Sequence, residues 1–175
     1  MAYTTASQSA RRFGEYGRGD GQLCNPRHIV ADSGDIIVSD SMNHRIVILN
    51  QEGIFRRSFG THGSGSGMLN QPHGLAIRGG RIYVADCGNH RIAIFSRTGN
   101  WLGSLGADGM GGGSGLCYPV ALCFSGKSLY VASMGDNQLV ALDEQGHETL
   151  RIGSDSEASP RCGVARAGPW SGGMG

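Results

Sequence analysis

IYVADCGNHRIAIF, Ile82 to Phe95, decides the fold, because the chain carries it three times. IIVSDSMNHRIVIL (Ile36 to Leu49) lies 46 residues upstream and matches it at 8 of 14 positions. LYVASMGDNQLVAL (Leu129 to Leu142) lies 47 residues downstream and matches at 4. Self-similarity at a fixed period of this size marks a repeat array, in which each unit buries its apolar surface against its neighbours. The runs Ile82-Tyr83-Val84-Ala85 and Ile92-Ala93-Ile94-Phe95 are apolar on both faces, so a sheet built from them needs cover on two sides.

Outward from this stretch, Phe13-Gly14, Phe59-Gly60, Leu105-Gly106 and Ile152-Gly153 mark the phase. They divide residues 13–153 into units at 13–59, 59–105 and 105–152. The second unit reads as four short strands, Gly74 to Arg78, Ile82 to Ala85, Arg91 to Phe95 and Asn100 to Leu105. Ser33-Gly34, Gly79-Gly80 and Gly126-Lys127 join the first strand to the second as two-residue hairpin turns. The turns NQEG, SRTG and DEQG between third and fourth strands all finish on glycine, as a left-handed closing residue requires. No segment carries helical periodicity over ten or more residues. Four antiparallel strands per unit predict an all-β fold, a β-propeller segment of three blades. Residues 1–12 read as a disordered leader, and 154–175 as a Gly/Ser/Pro-rich tail in which Pro160 to Gly168 echoes Pro72 to Gly80, a fragment of a fourth blade.

Composition narrows the function classes. Net charge is +1 over 175 residues, so the chain is not polybasic. No apolar run reaches the ~20 residues that span a bilayer, the leader lacks a signal-peptide core, and the expectation is a cytoplasmic protein with no membrane contact. The five cysteines include no C-x-x-C pair, which leaves zinc unsupported and the thiols reduced.

Asn43-His44-Arg45-Ile46 and Asn89-His90-Arg91-Ile92 resemble the signature of the NHL repeat. The resemblance extends to FGEYGRGDGQLCNP (Phe13 to Pro26) and FGTHGSGSGMLNQP (Phe59 to Pro72), each followed by an aspartate, Asp40 or Asp86. The third unit departs from it, with Ser133 in place of the aspartate and Asp136-Asn137-Gln138 in place of Asn-His-Arg. Propellers of this family have about six blades, and three blades alone would leave two apolar faces bare. The resemblance therefore implies a piece of a longer propeller, or two copies completing one ring as a homodimer.

The recurring Asp40 with Arg45 and Asp86 with Arg91 read as structural blade pairs. Their alternative is a ring of arginines offered to a phosphate or carboxylate. In propeller geometry the loops joining blades share one face with the loops joining second and third strands. That face gathers the binding candidates Arg18, Arg27, His44, Arg45, His62, His73, His90 and Arg91, opposed by Asp20, Asp40, Asp86, Asp108 and Asp136. The resemblance implies a non-enzymatic binding or scaffold module that recruits a protein or RNA partner, in the manner of the substrate-recruiting end of a ubiquitin ligase. The chain lacks the Cys/His pairs of a RING or B-box. The alternative is a metal-dependent lyase or hydrolase of the related six-bladed propellers, with His28 and His73 as ligands. Those two stand one position out of register and supply fewer than the three converging ligands a metal site needs, so no metal or other cofactor is expected. No nucleophile–base spacing marks a catalytic residue.

Overall fold

A computed structural model describes residues 14–106 and 115–153. The leader, Asp108 and the tail with its echo of an opening strand lie outside the described residues. Among the described residues, twelve strands form three four-stranded antiparallel sheets, each in chain order. Blade one holds β1 (Pro26–Asp32), β2 (Asp35–Asp40), β3 (Arg45–Asn50) and β4 (Phe55–Phe59). Blade two holds β5 (Pro72–Arg78), β6 (Arg81–Asp86), β7 (Arg91–Ser96) and β8 (Trp101–Leu105). Blade three holds β9 (Pro119–Ser125), β10 (Ser128–Ser133), β11 (Gln138–Leu142) and β12 (Glu148–Ile152). The three-bladed, all-β propeller segment read from the repeat is the observed architecture.

Turn chemistry sets the registers. Gly79 and Gly80 take φ of 56° and 71°, the mirror-image turn whose twist suits a two-residue hairpin, and this fixes Arg78 opposite Arg81. The first strand of blade two begins two residues earlier than the alternation predicts. Pro72 still pairs with Asp86 across a bulge, beyond which Leu75 pairs with Val84.

The blades stack through their innermost strands, β1 on β5 and β5 on β9. Gly74 shows how closely, since a Cβ there would lie 2.8 Å from the Ala121 Cα of the next blade. Between blades one and two, Ile37, Ile46 and Ile48 bury against Leu75, Ile82, Val84 and Phe95. Between blades two and three, Ala76, Ala85 and Ile92 bury against Leu122, Leu129, Val131 and Val140. The far face of blade one is not bare. Val38, Val47 and Leu49 are buried there, with Leu23, Ile36 and Phe55 packed over them.

A loop-face cleft as candidate functional site

The turn between second and third strands is a single 3-10 turn, Ser41–Asn43 in blade one and Cys87–Asn89 in blade two. His44 and His90 close these turns in the left-handed conformation, with φ of 54° and 55°. Polar side chains tolerate that region better than branched ones.

Around each turn the same polar set recurs. Asp40 accepts from the Cys24 backbone N–H (2.6 Å), from Asn43 Nδ2 (2.7 Å) and from Arg45 Nε (2.8 Å). Asp86 accepts likewise from Asn70 N–H (2.7 Å), Asn89 Nδ2 (2.8 Å) and Arg91 Nε (2.7 Å). The terminal guanidinium nitrogens turn to the Gly-rich loop that enters the blade. Arg45 donates to the carbonyls of Arg18, Gly19 and Gln22, and Arg91 to those of Ser64, Gly65 and Met68. Each asparagine ties in a further loop carbonyl, Gly17 or Gly63. One carboxylate, one amide and one guanidinium thus lock two loops together, as charge-assisted forks do where backbone groups need partners. Burial pushes the Asp86 carboxyl up, and the Asn70, Asn89 and Arg91 donors pull it back.

Blade three keeps the geometry without the ion pair. Ser133 Oγ accepts from Cys117 N–H (2.8 Å) and bonds Asp136 Oδ2 (3.0 Å), so the carboxylate has moved to the asparagine's position.

The histidines join blades. His44 Nδ1 accepts the backbone N–H of Gln71 (3.1 Å), His90 Nδ1 that of Tyr118 (3.1 Å), and His28 Nδ1 that of Leu75 (3.2 Å). Gln71 and Tyr118 precede prolines and hold φ of 50°, so these bonds fall on strained backbone. An accepting Nδ1 must be unprotonated. Burial, His62 and Arg18 lower the pKa of His44 against a raising pull from Asp86, and burial with Arg27 lowers that of His73. A histidine depressed on folding contributes stability that is complete above its unfolded pKa of ~6.5 and is lost as pH falls below it. The urea midpoint is therefore expected to fall between pH 7.5 and pH 5. His44→Asn, matching Asn137 in blade three, should flatten the fall; an unchanged slope would contradict the role given to His44.

Between blades one and two the loop face opens into a cleft of about 490 Å³. It is lined by Arg18, Asn43, His44, Arg45, Ser58, Gly60, Thr61 and His62. The His44 and His62 rings stack at 4.2 Å, tilted by 45°. Among the described residues, no lining side chain is acidic. Of the eight binding candidates, four meet in this cleft. Arg27 and His73 come together elsewhere, at the starts of the inner strands β1 and β5. His90 and Arg91 repeat the arrangement one blade on, where His90 meets Tyr118 edge to face at 4.4 Å. Sequence reasoning passed over Ser58, Thr61 and Tyr118. The pre-proline position of Tyr118, two after the buried Leu116, was the one available signal. Among the described residues no three His, Cys, Asp or Glu side chains come together to hold a metal ion, and no helix is long and apolar enough to cross a membrane.

The sequence model of the NHL repeat matches residues 23–49 and 69–95, the cores of the first two units. Blades one and two are NHL repeats. The B-box type zinc finger protein ncl-1 of Caenorhabditis elegans is 41% identical over 46 residues, 26% of this chain and 5% of that protein. Among solved structures, the nidogen/laminin complex contains a chain similar at 25% identity and a TM-score of 0.61, over 75% of this chain and 48% of that one. A catalytically inactive virginiamycin B lyase from Staphylococcus aureus with quinupristin is similar at 14% identity and a TM-score of 0.59, over 82% of this chain and 44% of the lyase. These likenesses fix a β-propeller fold. The chain spans about half the length of the propellers it matches, and one twentieth of the curated relative.

Proposed function

We propose that this NHL-repeat segment is a non-catalytic binding module whose loop face takes an acidic segment of a protein partner, with the cleft between blades one and two at its centre. The observation that carries this is the lining: two arginines and two histidines with hydroxyl donors and, among the described residues, no carboxylate. Arg45 is committed to loop carbonyls, so Arg18, exposed at the rim, is the charge presented to a ligand. His44, with Nδ1 accepting, presents Nε2–H, and Thr61 and Ser58 add donors. Such a set suits a carboxylate on a short segment.

RNA is the weaker reading. A strand of RNA needs a track of phosphate contacts and stacking surfaces. Here Arg18 is replaced by Ser64 at the matching position of blade two, and His62 by Tyr16 in blade one, so the basic group does not recur along the face. The NHL resemblance supports substrate recruitment within a ubiquitin ligase as the setting. In that setting this face would choose the substrate.

The test is fluorescence anisotropy with a labelled glutamate-rich peptide and a labelled oligouridine, each at low and moderate salt. The peptide is expected to bind, more weakly as salt rises, and to bind more tightly than the RNA. Tighter RNA binding would replace the protein reading with the nucleic-acid one. Binding of neither at ~1 mM would remove this face as the site.

A further inference from the structure

We propose that two sets of charges of opposite sense fix which blade stacks on which: Arg97 of blade two selects Asp32 and Asp35 of blade one, and Glu144 of blade three selects Arg78 and Arg81 of blade two. These groups lie at the end of the sheets opposite the cleft, so the inference is independent of what the cleft binds.

Blades one and two share 8 of 14 positions over their second and third strands, and aliphatic side chains fill both contacts between blades. Apolar burial alone therefore does little to tell one neighbour from another, and repeat proteins misassemble for that reason. Charge does discriminate, because a like pair brought together is penalised where an opposite pair is drawn in.

At the contact between blades one and two the charges meet directly. Arg97 opens the turn between β7 and β8 and reaches across to the hairpin between β1 and β2. Its Nη1 pairs with Asp32 Oδ2, while its Nη2 donates to the Asp32 carbonyl (3.0 Å) and lies 3.4 Å from Asp35 Oδ2. Asp35 is 8% exposed and also meets Arg56 (3.3 Å) and Arg57 (3.9 Å) of its own blade. Arg57 in turn donates to the Arg97 carbonyl (2.8 Å), which ties the turn of blade two to the outer strand of blade one.

One repeat on, every sign is reversed. Forty-six residues after Asp32 and Asp35 stand Arg78 and Arg81, and 47 after Arg97 stands Glu144. Arg78 already crosses to blade three, where its Nη2 donates to the Gly126 carbonyl and its guanidinium lies 4.7 Å over the Phe124 ring. Its Nη1 is buried and has no hydrogen-bond partner among the described residues. Glu144 is exposed on the turn that, one blade earlier, carries Arg97 to its aspartates, and a carboxylate from there supplies the acceptor that Nη1 lacks. Exchanging the two turns would set a glutamate against Asp32 and Asp35 at one contact and an arginine against Arg78 and Arg81 at the other.

Urea unfolding of the 175-residue chain tests this with side chains that a neighbouring blade already carries. Glu144→Arg gives blade three the turn residue of blade two, and Arg97→Glu gives blade two that of blade three. Each should lower the midpoint by about 0.5 M at low salt, and by less in ~1 M NaCl, where charges are screened within a few ångströms. Adding Arg81→Asp, the residue of blade one, to Glu144→Arg should recover at least half of the loss. Arg97→Gln, which removes the charge without reversing it, should cost less than Arg97→Glu. A midpoint unmoved by Glu144→Arg would overturn the proposal. So would losses that neither salt nor Arg81→Asp reduces, or equal losses from Arg97→Gln and Arg97→Glu, since those would report packing and not charge.

Discussion

Replacing Asp86 with alanine is expected to destabilise the chain by about 3–5 kcal/mol, because it strands a buried cation. Asp86 has no exposed surface and Arg91 is 7% exposed. The guanidinium sits 5.0 Å over the Trp101 ring, and two of its nitrogens are held by loop carbonyls, so it cannot swing out to water without releasing the Gly-rich loop. Alanine also leaves the Asn70 N–H and one Asn89 proton without their acceptor. Asp40→Ala should act in the same direction and more weakly, since Arg45 is nearer to solvent, its side chain 13% exposed against 9% for Arg91. Blade three supplies the control. It holds Ser133, Asp136 and Gln138 where blade two has Asp86, Asn89 and Arg91, so the double change Asp86→Ser, Arg91→Gln removes both charges with side chains this fold already carries at those two positions. Urea unfolding followed by circular dichroism should show the double variant less destabilised than Asp86→Ala. A double variant as unstable as the sum of its singles would mean the two residues do not act as a pair.

Phe95→Ala is expected to cost a similar ~3–5 kcal/mol, for a different reason. Phe95 is 1% exposed at the contact between blades one and two. Its ring meets Phe59 of blade one at 4.9 Å and Trp101 of its own blade edge-on at 5.4 Å. Truncation opens a cavity that the sheets cannot close without moving against each other, and Gly99 already gives Phe59 the room it has, with a Cβ there only 2.8 Å from the ring. Leu102→Ala, on the half-exposed neighbouring position of β8, should stay within ~0.5 kcal/mol. Equal losses from the two would mean that the blades do not bear on one another through this ring.

The blades were legible because their determinants are local. Period, paired apolar faces and glycine at each turn all lie within 46 or 47 residues, and the sheets follow from them. What the recurring aspartates and arginines do was only half legible. Spacing joins Asp86 to Arg91, but the direction of the guanidinium depends on Ser64, Gly65 and Met68, whose carbonyls converge only once the Gly-rich loop has folded. The histidine of the Asn-His-Arg motif was read as a surface group. Its Nδ1 bond to the next blade depends on a left-handed backbone at His44 and at Gln71, and no periodicity encodes either. The cleft was least legible of all, since it brings Arg18 and His62 together from loops of different blades.

The central claim is that the Asp–Asn–Arg sets build the blades and leave Arg18, His44 and His62 to meet a partner. An anisotropy titration of the glutamate-rich peptide against three proteins tests it most directly: the natural chain, Arg18→Ala, and Arg81→Ala, which removes an equal charge from the hairpin end of blade two. The account predicts affinity lower by about tenfold or more for Arg18→Ala, the effect of a lost charge-assisted hydrogen bond, and unchanged for Arg81→Ala. Equal losses from both, or none from Arg18→Ala, would contradict it.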